Sequence, residues 1–205
     1  NSPGNEKKVI DKYIKKFPEN IKYFELKEDP GIYGTWNYAI EMSTGEFITN
    51  ANLDDRKAIN SLERHARELV LSPDVDLVYA DSVITHTSNE TFEKNSSEGK
   101  KYNFEQFSKE AMLRGNQPHN REMHTKHGFF DAKYKSAGDW EFFLRSAFGG
   151  SGFKKIDGVY GLYYFNPKGI STNLKNSSWK REEEKEIFMK YKTRSQEEKK
   201  SDIIL

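Results

Sequence analysis

Apolar residues recur along this chain at two spacings, and the alternation between them lays out a series of helices and strands. Val9, Ile10, Tyr13, Ile14 and Phe17 fall at helical spacing, so a helix is expected to start near the Ser2-Pro3 signal and to stop at Pro18. Ile21 to Leu26 is short and bounded by polar residues, which reads as a strand near a sheet edge. A glycine-punctuated turn, Glu28 to Gly34, leads into a short helix over Thr35 to Glu41 that ends before Gly45. Gly45-Glu46-Phe47-Ile48 is then a turn feeding a buried strand. Leu62, Ala66, Leu69 and Val70 mark the inner face of a helix from Ile59 to Leu71, closed by Pro73, and Val75 to Thr85 is a strand rich in valine, isoleucine and tyrosine. Strands alternating with helices predict an α/β fold, a mostly parallel sheet flanked by helices.

The second half is less regular. Thr87 to Lys101 is polar without apolar spacing and reads as an exposed loop. Phe104, Phe107, Met112 and Leu113 must pack somewhere, and Gly115 to His119 reads as another loop. Arg121 to His127 is a short helix closed by Gly128, and a further helix starts with a cap signal at Asp139 and ends near Gly149-Gly150. Val159, Gly161, Tyr163 and Phe165 mark a last strand. Beyond Asn176 charged residues dominate, with Trp179, Ile187, Phe188 and Tyr191 as a weak apolar stripe on a long helix. The expected division is one α/β domain over residues 1–175 and a charged helical extension over 176–205.

Composition narrows the function classes. Lys plus Arg (33) and Asp plus Glu (32) leave a net charge of +1, so no global field points to nucleic acid. Without cysteine there is neither a disulfide framework nor a thiolate metal site, which fits a reducing compartment. No apolar run is long enough to cross a bilayer. The expectation is a cytoplasmic protein, with peripheral association at the inner face of a membrane or with a larger protein left open by the charged tail.

The chemistry centres on Thr49-Asn50-Ala51-Asn52-Leu53-Asp54-Asp55-Arg56, where two adjacent carboxylates follow an apolar strand. In open α/β sheets ligands collect at the carboxyl ends of strands, and hard divalent cations use one or two carboxylates together with substrate phosphates. A metal-bridged diphosphate is the sharp reading of Asp54 and Asp55. The plain alternative makes Asp55 a cap for the next helix and Asp54 a solvated loop residue. His119, His124 and His127 lie close in sequence, but no carboxylate sits at zincin spacing, so His119 reads as part of a polar loop rather than a zinc ligand. Trp36 reads as core, and Trp140 is open between core and sugar stacking.

The order of motifs resembles the family 2 glycosyltransferases of the GT-A fold. Gly31 through Trp36-Asn37-Tyr38-Ala39-Ile40, Thr44-Gly45-Glu46-Phe47-Ile48 and Asn52-Leu53-Asp54-Asp55 resemble that family's helix, turn and Asp-x-Asp metal motif. Gly128-Phe129-Phe130-Asp131 and Gly138-Asp139-Trp140-Glu141-Phe142-Phe143-Leu144-Arg145 resemble its glycine-phenylalanine-aspartate turn and its Glu-Asp helix start. The resemblance implies an inverting transferase moving a sugar from a nucleotide-diphosphate sugar to a hydroxyl acceptor, with manganese or magnesium as cofactor. It implies Asp139 as general base, Asp54 and Asp55 at the metal, and Asn37 and Asn52 with them on the donor side. His119, Trp140 and Arg145 fall on the acceptor side, Arg145 being open between pairing with a carboxylate of the site and an exposed helix position.

Three departures from the pattern stand out. Asn52 replaces the first aspartate, Gly138 replaces the glutamate before Asp139, and the chain begins after the family's first strands, so an amino-terminally truncated GT-A domain is expected. The absence of Gln-x-x-Arg-Trp and of membrane helices speaks against a processive synthase. The second reading is a catalytically silent GT-A fragment acting as a binding or scaffold module.

Overall fold

The computed structural model describes residues 4–94 and 117–201. Among the described residues the α-helices are, in chain order, α1 Glu6–Lys16, α2 Gly31–Met42, α3 Ser61–Leu71, α4 Glu122–His127, α5 Gly138–Phe148 and α6 Ser177–Ser201. The strands are β1 Phe47–Ile48, β2 Arg56–Lys57, β3 Leu77–Thr85, β4 His119–Asn120 and β5 Phe153–Tyr164. They form one sheet in the order β1-β4-β3-β5-β2. The expected α/β architecture is present, but among the described residues parallel pairing is confined to β3 and β5, while β1, β2 and β4 pair antiparallel. The short strands are two residues each, and antiparallel edges of that length need no crossover helix, which is why alternation alone did not reveal them.

β3 and β5 carry most of the ladder, from Leu77 opposite Phe153 to Thr85 opposite Tyr164. β5 holds extra residues between the pairs Tyr79–Lys155 and Asp81–Val159, and Gly158 takes φ +115 there, a conformation suited to glycine. On one face, Trp140, Phe142, Phe143 and Leu144 of α5 pack with Leu77, Tyr33, Met123, Phe130, Ile187 and Tyr191 into the main core. A smaller cluster of Leu69, Val75, Val78 and Ile156 lies under α3.

Several expectations change on sight of the elements. Ile21 to Leu26 has no ladder partner among the described residues and runs without regular structure. α2 starts four residues before Thr35, with the Asp29 carboxylate accepting from the Gly31 N–H at 2.9 Å. α3 turns Ser61, His65 and Leu69 inward, whereas Leu62 and Val70 are exposed. Its inner face tolerates the imidazole because the Ser61 carbonyl accepts from His65 Nδ1 at 2.6 Å. On α1 the apolar stripe forms, yet Val9, Tyr13 and Phe17 are exposed and no residue of the helix is buried. Ser2, Pro3, the end of the Thr87 to Lys101 loop, Phe104, Phe107, Met112, Leu113 and Gly115 lie outside the described residues.

α6 is built into the core. Ile187 is 0% and Tyr191 1% exposed, and Phe148 stacks on Tyr191 at 5.4 Å. The weak apolar stripe of the sequence is thus enough to seat the helix, since polar groups beside it find partners on α5, where Lys190 meets Glu141, and in the turn before α5, where Glu183 and Glu186 bind residues 133–137.

Candidate active site

Asp139 lies in the first turn of α5, and two neighbours donate to its carboxylate. Its Oδ1 accepts from the Trp140 N–H at 2.9 Å and from the Tyr33 hydroxyl of α2 at 3.1 Å. It does not cap the helix: the residue before the helix is Ala137, with no side-chain cap of its own. The turn just before the helix is held from α6, where Glu183 accepts from the N–H groups of Lys135 at 2.7 Å, Ser136 at 3.1 Å and Ala137 at 3.2 Å. A carboxylate at a helix amino end satisfies orphan donors and meets the positive end of the dipole. The turn that carries Asp139 is therefore pinned by a side chain more than forty residues downstream.

The other two carboxylates lie on a separate loop, between β1 and β2. Asp55 is half-buried: Oδ1 accepts from the Tyr164 N–H at 3.2 Å, where β5 ends, and Oδ2 accepts from Asn52 Nδ2 at 2.9 Å. It does not cap α3, which starts at Ser61 after Asn60. Asn52 in turn accepts from Asn50 Nδ2 at 3.3 Å. Asn52 thus orients Asp55, which is how a neutral amide can stand where the family pattern has a charge. Asp54 is exposed. Lys57 reaches Thr49 Oγ1 at 3.3 Å, and burial lowers its pKa against the opposing pull of Asp55.

The loop's donor set suits a hard cation. Asp54, Asp55 and the buried Asn50 Oδ1, which has no hydrogen-bond partner, are all oxygen ligands, the type magnesium and manganese prefer. Among the described residues no group of three or more His, Cys, Asp or Glu side chains could hold a metal without help. That is compatible with a cation completed by substrate phosphate.

The remaining site residues expected from sequence have structural duties. Asn37 exchanges two hydrogen bonds with the backbone of Phe130, Nδ2 donating to the carbonyl at 2.8 Å and Oδ1 accepting from the N–H at 3.0 Å. It stitches α2 to the Gly128–Asp131 turn, using one N–H and one lone pair of its amide. Trp140 and His119 are each 1% exposed, and neither has surface to offer an acceptor. His119 lies on β4, because flanking Pro118 and the pairing with Ile48 and Leu77 draw it into the sheet. Arg145 is clamped to Glu141 at 3.0 Å and donates to the carbonyls of His127 and Phe129, closing α4 onto α5.

His119 and His124 form a buried pair. The Gln117 carbonyl at 2.8 Å assigns the proton of His119 to Nδ1, so His119 Nε2 accepts from His124 Nε2 at 3.0 Å. His124 stacks on Phe142 at 4.5 Å, and its Nδ1 is buried without a partner. Burial pushes His119 down to about 4, and burial together with His119 pushes His124 down to about 3. A histidine held neutral by the fold binds fewer protons than it does unfolded, so its stabilisation is complete above about pH 6.5 and is lost as pH falls toward 4 and 3. Urea midpoints are expected to drop between pH 7 and pH 5, and the His119→Phe/His124→Phe variant should show a clearly shallower drop.

Sequence reasoning passed over Tyr33 and Glu183. The only trace of Tyr33 is an aromatic with a polar tip in a glycine-flanked helix start, and Glu183 is one carboxylate in a run of charges.

The mixed five-stranded sheet flanked by helices is similar to the fold of the GT-A glycosyltransferases. A family model described as glycosyl transferase family 2 matches residues 1–135 of the 205, and the chain belongs to that family. Solved structures agree on the fold. S. aureus TarS 1-349 is 18% identical at a TM-score of 0.63, over 82% of this chain and 49% of that one. Its complex with UDP-GlcNAc gives 16% and 0.62, over 80% and 47%. The mannosyltransferase PcManGT from Pyrobaculum calidifontis, in complex with GDP-Man and Mn2+, gives 17% and 0.59, over 82% and 46%. The chain therefore spans less than half the length of these proteins. A search of curated proteins gives no match.

Proposed function

We propose that this chain is the catalytic part of an inverting glycosyltransferase that moves a sugar from a nucleotide-diphosphate sugar to a hydroxyl acceptor in glycan or polysaccharide assembly. The observation that carries the reading is the held carboxylate of Asp139: an acid at a helix start, oriented by two donors, in a family whose chemistry needs a positioned base. A hydroxyl is a weak nucleophile until a carboxylate takes its proton, and such a base contributes about 10²–10⁴-fold. Asp139 would accept the acceptor's proton as its oxygen attacks the anomeric carbon and the diphosphate leaves from the other side. Asp54 and Asp55 would hold a manganese or magnesium ion, and the bound cation would neutralise charge on the departing diphosphate. Neighbouring folds captured with UDP-GlcNAc, GDP-Man and Mn2+ support a nucleotide-sugar donor and a divalent cation. The site is expected to work in the cytoplasm, facing the nucleotide-sugar pool, with a membrane or a larger protein presenting the acceptor.

Calorimetry tests the donor half. UDP or GDP is expected to bind with manganese present and to lose at least tenfold in affinity with EDTA or in the Asp54→Ala variant. Manganese-independent binding, or no heat with any nucleoside diphosphate, would favour the silent-module reading instead.

A further inference from the structure

Gly138 stands where the family pattern carries a glutamate, and the structure gives a steric reason for it. Its backbone is not in the left-handed region, so conformation alone does not demand glycine. A Cβ built at this position would meet the ring of Tyr33, at 2.7 Å from Cε2, 2.8 Å from Cδ2 and 2.9 Å from Cζ. That ring cannot easily move aside. Tyr33 is 2% exposed, edge-on to Trp36 at 5.3 Å and tilted against Phe130 at 5.8 Å. Phe130 is itself tied to α2 through Asn37.

The ring brings a hydroxyl with it. Tyr33 Oη lies 2.8 Å from the Ser136 carbonyl and 3.1 Å from Asp139 Oδ1, and both of these groups can only accept from it when Asp139 is ionised. The single phenol proton is shared between them, and an ionised carboxylate is the stronger acceptor of the two. The Trp140 N–H donates to the same oxygen. Two donors on one oxygen fix the plane and tilt of the carboxylate. Burial and the nearby charge of Asp139 hold the phenol well above its ordinary range, so it remains a donor at every pH at which the protein would act.

We propose that Tyr33 is the positioning residue for Asp139, taking with its phenol the place of the glutamate that Gly138 excludes. The consequence is a site with one carboxylate oriented by a neutral donor, in place of two adjacent acids. Removing a neighbouring acid also removes like-charge repulsion, which would otherwise favour protonation of the base. The proposal rests on Asp139 being the base. Its own content is narrower: the phenol sets the orientation and the ionisation of that carboxylate, and the glycine exists to admit the phenol.

The deciding measurement is carboxyl-detected NMR titration of Asp139 in the full chain, in wild type and Tyr33→Phe. Loss of a donor to the charged form is expected to move the Asp139 midpoint upward by about one pH unit. Tyr33→Phe keeps the packed ring, and its melting temperature shows whether the fold is intact. Gly138→Ala is expected to displace the ring and shift the midpoint in the same direction. In donor hydrolysis, with UDP-GlcNAc or GDP-mannose and manganese, Tyr33→Phe should lower kcat about tenfold and leave KM unchanged, with the acid limb of the pH profile shifted upward. An unmoved midpoint in a folded Tyr33→Phe, with only the melting temperature lowered, would overturn the proposal and leave the phenol a packing group. A shifted midpoint with Asp139→Asn as active as wild type would uphold the contact and sink the base assignment, so the two failures are distinguishable.

Discussion

Asp139→Asn is expected to slow sugar transfer by about 10²–10⁴-fold while nucleotide binding in manganese stays within about twofold of wild type. The substitution keeps the shape of the side chain and leaves an oxygen to accept from Trp140 and Tyr33, so the start of α5 should hold its geometry. What it removes is the capacity to take a proton. Because Asp54 and Asp55 sit on a different loop, tied to β5 through Tyr164, donor affinity has no reason to change with it. Single-turnover transfer beside calorimetry checks both halves at once. A variant that transfers at the wild-type rate would remove Asp139 from the chemistry.

Glu141→Ala is expected to cost about 3 kcal/mol of folding stability. The side chain is 1% exposed and accepts from Tyr191 at 2.8 Å, Lys190 at 2.8 Å and Arg145 at 3.0 Å. Burial alone would raise its pKa, but the hydrogen bonds from Arg145 and Lys190 outweigh it and hold the carboxyl below its ordinary range. A carboxylate depressed in this way stabilises the fold above its unfolded value, and that contribution is lost as pH falls through the folded one. Truncation would strand Arg145 between the carbonyls of His127 and Phe129 and leave the Tyr191 hydroxyl buried without its acceptor. The value is set at the low end because the Lys190 side chain is 44% exposed and rehydrates readily. Urea unfolding at pH 7 measures it, and a loss under 1 kcal/mol would show that the network adds little to stability.

The two positions also show why only part of this molecule was legible in its sequence. Helical spacing gave α3, α4 and α5 within a few residues, because an apolar stripe and a following glycine or proline are local signals. The central strands were legible for the same reason: β3 is a run of valine, isoleucine and tyrosine. Pairing was not. β1, β2 and β4 are two-residue strands, and β2 finds its partner more than a hundred residues away, from Arg56 to Leu162; nothing local records an antiparallel edge. The carboxylates were found by motif order, yet their supports were invisible. Asn37 looked like a ligand residue and is a stitch to Phe130; Trp140, open between core and sugar stacking, and His119, read as part of a polar loop, are both buried. Tyr33 and Glu183, which hold the turn around Asp139, act across distances that no spacing rule covers.

The claim on which the proposed chemistry depends is that the Asp54–Asp55 loop and Asp139 flank one cleft. Paramagnetic broadening by manganese in the presence of excess UDP or GDP tests it without any knowledge of the acceptor. Backbone amide signals of Asp55 and of Trp140 are expected to broaden together, and both should recover on replacing manganese with magnesium. Broadening at Asp55 with the Trp140 amide untouched would place the metal and the base apart, and no transfer between them could occur.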